Sequence, residues 1–162
     1  MAREDDGLRA VRRERHLRRL GTRHPRCAGC GETAPAALTQ HGGEIWCYEC
    51  IASVAGRPSV EQHHLAGRHN DPTTVPLPGN PHRLLSDEQR MWPAETLRNP
   101  TGSPLRTAAA WVRGWLDLLR VICQCAAWIP PFLERLDVWL GDHHGARWWE
   151  HPDLADGDDA DS

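Results

Sequence analysis

The sequence predicts an α+β fold: a small core that needs an added staple, followed by a C-terminal helical hairpin. Three observations carry this expectation. Two Cys-x-x-Cys pairs stand close together, Cys27-Ala28-Gly29-Cys30 and Cys47-Tyr48-Glu49-Cys50. A stretch over 61–93 is rich in His, Pro and Asn. Apolar residues at helical spacing run through 107–141. A length of 162 residues suggests one domain with appendages. The N-terminal half has little aromatic mass, because most of the Trp residues lie beyond residue 90. A half built that way usually needs a metal or disulfides to hold one shape.

Residues 1–24 read as an Arg-rich arm, helical from Leu8 to Leu20. Residues 1–26 carry nine Arg against four acids, whereas the tail after Glu150 carries five Asp and no Arg. A net charge of −3 therefore hides a basic end suited to phosphates and an acidic end suited to solvation. Residues 25–93 hold the cysteine pairs and the candidate chemistry, with Gly42-Gly43 as a turn between the pairs. Residues 94–106 read as a linker, marked by Asn99-Pro100 and Gly102-Ser103-Pro104.

The hairpin follows over 107–141, and the acidic tail over 142–162. In its first helix Trp111, Trp115, Leu118, Leu119, Ile122, Ala126 and Ile129 form an apolar stripe expected to pack. Arg113, Asp117, Arg120 and Gln124 take the other face. Pro130-Pro131 is expected to end that helix, and Gly141 to end a second one over Phe132–Leu140. Such a stripe suits packing on the core, a protein partner or a homodimer. The mixed charge of its polar face argues against membrane contact. Arg and Asp interruptions and the proline pair also argue against a transmembrane span, and the charged N-terminus lacks the apolar region of a secretory signal. The expected setting is a reducing cytoplasm, where cysteines serve as metal ligands or buried thiols.

Sixteen residues separate the two cysteine pairs. A two-residue gap lets both thiolates of a pair face one ion, and a hairpin brings the second pair across to complete a tetrahedron. Cys27, Cys30, Cys47 and Cys50 are thus expected to bind a structural Zn²⁺ in a closed site. Cys123 and Cys125 are expected to be buried small apolar residues.

The chemistry is expected at His63, His64 and His82. A divalent ion on a phosphodiester needs few protein ligands, because phosphate oxygens and water fill its shell. His63 at a strand end and His82 on a following helix can supply them. His64, beside the first ligand, can face a water and act as general base. Arg68 and Arg83 are candidate phosphate ligands. His143-His144 has no partner pattern and reads as surface loop.

His63-His64, a Gly-containing loop, Val75-Pro76-Leu77 and His82-Arg83 together resemble the ββα-metal core of HNH (His-Me finger) endonucleases. The resemblance covers roughly 25–93. It implies a DNA-cleaving hydrolase that uses Mg²⁺ or Mn²⁺, with His64 as base, His63 and His82 as metal ligands, and no small-molecule cofactor. Two features depart from the family pattern. The family's second cysteine pair would fall at Pro78 and Pro81, so here the knuckle staples the entry to the motif. The middle Asn, which orients the base, would fall near Thr73; Asn70 and Asn80 are alternatives for that role. The competing expectation is a catalytically inactive, zinc-stabilised module that binds DNA or a protein partner.

Overall fold

The computed structural model describes residues 2–150, with side chains from residue 6; His151 and the Asp-rich tail lie outside them. The chain is a mixture of helices and two small antiparallel sheets, with a group of four cysteines that can hold a metal ion. It divides into two compact units, one ending at Ile122 and one beginning at Cys123.

In the first unit α1 spans Ala2–Leu20. It stops at Gly21, whose φ of 73° a side chain would resist. The helix is docked. Leu17 and Leu20 are buried, His16 Nε2 lies 3.0 Å from Asp87 Oδ1, and Arg12 pairs with the same carboxylate. Arg9 pairs with Glu88 at 3.1 Å, and Arg19 donates to the Leu38 carbonyl at 2.7 Å. The arm expected to suit phosphates thus commits part of its charge internally.

Strands β1 (Leu38–His41) and β2 (Glu44–Cys47) form a hairpin, with Leu38 opposite Cys47. Gly42 and Gly43 both take positive φ, as a two-residue turn requires. Helix α2 (Tyr48–Val54) follows without a break. Leu20, Cys27, Leu38 and Cys47 form a small core here, flanked by Ile45, Trp46 and Cys50.

Next come β3 (Val60–His63), β4 (Val75–Pro78) and α3 (Gly79–Gln89), with His63 opposite Val75. A two-stranded sheet leaves the far edge of β4 unpaired, so Pro76 and Pro78 cost no ladder bond. Pro81 sits in the first turn of α3, where its missing N–H is not needed. Pro78, the N-cap of α3, and Pro81 therefore build the strand-to-helix turn.

The expected linker is structured. It contains α4 (Ala94–Arg98) and the start of α5 (Pro104–Ala126). A second core joins Ala66, Trp92 and Ala110, with Leu97 and Trp111 packed against it.

Helix α5 corrects the expected stripe. Its buried residues are Ala110, Gly114, Asp117 and Val121, while Trp115, Leu119 and Ile122 are more than half exposed. Small side chains permit the closer approach. A Cβ on Gly114 would lie 2.1 Å from the Leu65 carbonyl oxygen. Asp117 is tolerated because the Trp92 indole N–H donates to it at 2.7 Å and Arg120 at 2.8 Å.

In the second unit α6 spans Ile129–His144. Pro130 and Pro131 open this helix, since the first turn needs no N–H donors. Gly141 lies inside it, and Gly145, with φ 91°, is its C-cap. His143 and His144 therefore belong to the last helical turn, and His143 stacks on Trp139 at 4.2 Å. Cys123 and Cys125 are exposed, contrary to expectation. The Pro104–His144 stretch is long and apolar enough to cross a membrane by length and composition, despite its charged residues and proline pair.

Candidate functional site

The four cysteine sulfurs lie within 4.8 Å of one another. Cys30 Sγ and Cys47 Sγ are 3.6 Å apart, against about 3.8 Å for the edge of a tetrahedron with metal–sulfur bonds of about 2.3 Å. The sequence places them through short-range geometry. Cys47 caps α2 and accepts the Cys50 N–H at 3.3 Å, while Cys27 Sγ accepts the Cys47 N–H at 3.2 Å. Gly29 closes the knuckle: a Cβ there would come within 3.0 Å of Cys50 Sγ and 3.1 Å of the Trp46 ring. Burial raises the Cys27 thiol, but N–H donors from Cys30, Cys47 and Gly29 outweigh it and bring the group down to about 6. Burial pushes Cys50 up instead. The donor set and spacing suit a structural metal such as zinc.

The three histidines converge elsewhere. His63 ends β3 and is 3% exposed, His64 opens the loop to β4, and His82 sits in the first turns of α3. The His63 and His82 rings are 5.0 Å apart and nearly perpendicular. His63 Nε2, His64 Nδ1 and His82 Nδ1 are buried, and none makes a hydrogen bond. His82 Nδ1 lies 3.1 Å from Glu61 Oε2, close enough for charge attraction though not aligned for a hydrogen bond. Burial, then the neighbouring His82 and His64, push His63 down to about 4. Burial also lowers His82, partly opposed by Glu61.

These rings line an open cleft of about 520 Å³, together with Arg68, Arg90 and Arg98. No carboxylate lines it among the described residues. The loop carrying His64 is held from α3, where Gln89 Nε2 donates to the His64 carbonyl at 2.7 Å and to that of Leu65 at 3.0 Å.

Other expected site residues are engaged elsewhere. Asn80 is buried and exchanges hydrogen bonds with Glu49 (Asn80 N–H to Glu49 Oε1 at 3.0 Å, Glu49 N–H to Asn80 Oδ1 at 3.3 Å), so it does not orient His64. The Thr73 N–H turns to Asp71 at 2.7 Å, and Thr73 does not line the cleft. The Asn70 amide donates to the Ala66 and Thr96 carbonyls at 3.0 and 2.9 Å. Arg83 spends its guanidinium on Glu61 at 2.8 Å and on the Tyr48 ring at 4.5 Å. Of the two candidate phosphate ligands, only Arg68 faces the cleft.

Sequence reasoning missed Arg90, Arg98 and Gln89. Gln89 was findable: His82, Ser86 and Gln89 fall at i, i+4 and i+7, one face of α3. Arg98 comes from α4 and has no local signal. No protein-family model, curated protein or solved structure matches the chain.

Proposed function

We propose that the chain is a metal-dependent endonuclease of the HNH type that hydrolyses phosphodiester bonds in DNA. One observation carries the reading. Two buried imidazole nitrogens without a hydrogen-bond partner, His63 Nε2 and His64 Nδ1, share one cleft with His82 and three arginines, and among the described residues no carboxylate lines it, in a chain of net charge −3. Unpartnered buried nitrogens are costly unless something else satisfies them. A neutral imidazole is a metal ligand, and a cationic cleft on an acidic protein selects an anion.

His63 and His82 are the residues to hold the ion. Mg²⁺ or Mn²⁺ bound there would polarise the phosphate and stabilise charge on the leaving 3′ oxygen. Arg68, Arg90 and Arg98 orient the phosphate oxygens. His64 takes a proton from the attacking water as the new oxygen–phosphorus bond forms. The bond to the 3′ oxygen breaks, and that oxygen is protonated from solvent. Exposed Arg13, Arg15 and Arg23 add sequence-independent phosphate affinity. The knuckle ion is read as zinc, closed by four thiolates and structural.

Wild-type protein is expected to nick supercoiled plasmid with Mg²⁺ or Mn²⁺. His64→Ala should lose about 10²–10⁴-fold in rate, the usual contribution of a general base. Equal nicking by the two proteins overturns the assignment. A second reading, an inactive module that binds DNA or a protein, is favoured by His64 Nδ1, which no amide side chain supports. Plasmid binding without cleavage in any of these metals selects it.

A further inference from the structure

We infer that the cysteine knuckle governs the histidine cleft, acting through Tyr48 and Glu49. The inference rests on the reading of His82 as a ligand of the divalent ion. Tyr48 and Glu49 are the two residues between Cys47 and Cys50, so an ion on those sulfurs fixes both ends of the segment they occupy. Both grip the start of α3. Glu49 and Asn80 exchange main-chain to side-chain hydrogen bonds at 3.0 and 3.3 Å, and Asn80 is buried. The Tyr48 ring lies under the Arg83 guanidinium at 4.5 Å. Arg83 holds Glu61 at 2.8 Å, and the other oxygen of Glu61 lies 3.1 Å from His82 Nδ1.

His82 is thus bracketed by Asn80 and Arg83, and both are held by the ligand loop of the knuckle. The 3₁₀ turn Pro35–Ala37, which lies between the two cysteine pairs, also packs on α3. Loading the knuckle places a ligand of the cleft, and stripping it releases that ligand. The knuckle therefore acts as a control on the site and not only as a fold staple.

The test uses the full chain, zinc-loaded and zinc-stripped, together with Glu49→Ala. Amide hydrogen exchange follows residues 79–83 and, as an internal reference, 110–117 of α5. Mn²⁺ binding to the cleft is titrated separately. Stripping zinc is expected to accelerate exchange at 79–83 by about tenfold or more, with the α5 reference changing by less than about twofold. Glu49→Ala should keep its zinc, deprotect the Asn80 amide and weaken Mn²⁺ by about tenfold, the usual cost of losing an outer-shell partner. Unchanged exchange at 79–83 after stripping overturns the inference. So does unchanged Mn²⁺ affinity in Glu49→Ala with Asn80 deprotected. If stripping also exposes α5, Glu49→Ala alone decides, because it retains the metal. If wild type binds no Mn²⁺, the divalent-ion reading of the cleft falls, and the exchange data still decide whether the knuckle holds α3.

Discussion

At neutral pH the His63 ring is uncharged, since burial and the nearby His82 and His64 hold its pKa at about 4. The folded value lies below the ordinary 6.5, so the unfolded chain binds the proton first as pH falls. Stability is therefore lost between about pH 6.5 and 4. Relative to His63→Gln, the wild type should lose about 2–3 kcal/mol between pH 7 and 4.5, in buffer without added Mg²⁺ or Mn²⁺. Imidazole NMR should show His63 titrating near 4; titration near 6.5 contradicts the account. The four cysteines and three histidines were legible as residues because each group stands out by its spacing along the chain. Arg90 and Arg98 were not, because α4 and the end of α3 reach the cleft only through tertiary packing. The engagement of Asn80 with Glu49 and of Arg83 with Glu61 was not legible either, because these partners are remote in sequence.

Helix α5 shows what periodicity conveys at the scale of elements. The pattern locates a helix and two unlike faces; it does not say which face is buried. Here Ala110, Gly114, Asp117 and Val121 pack inward, because Gly114 lets the helix reach the Leu65 carbonyl and Trp92 satisfies Asp117. Gly114→Val should cost about 3 kcal/mol or more, since the nearest neighbour is backbone and cannot yield. Leu119→Gln, on the exposed face, should stay within about 0.5 kcal/mol. Urea unfolding of the two variants checks the order, and the reverse order would restore the apolar stripe as the packed face. The β3, β4 and α3 order agrees with the one implied by the resemblance that His63-His64, Val75-Pro76-Leu77 and His82-Arg83 carry. The reach of α1 onto Asp87 and Glu88 was not legible, because charged pairs leave no period.

At the scale of the molecule, a chain of net charge −3 gathers Arg68, Arg90 and Arg98 around one cleft that no carboxylate lines among the described residues. Phosphate contacts release counterions, so Arg90→Ala combined with Arg98→Ala should lower the slope of log affinity for DNA against log salt by up to about 2. An unchanged slope places the DNA elsewhere on the protein. The central claim is that His63 and His82 hold one divalent ion beside His64. Anomalous diffraction from crystals of the zinc-loaded chain soaked in Mn²⁺ tests it most directly. The account predicts a manganese peak at coordination distance from one nitrogen of each of the His63 and His82 rings, facing the cleft. Manganese bound only away from these two rings, or absent at saturating concentration, contradicts it.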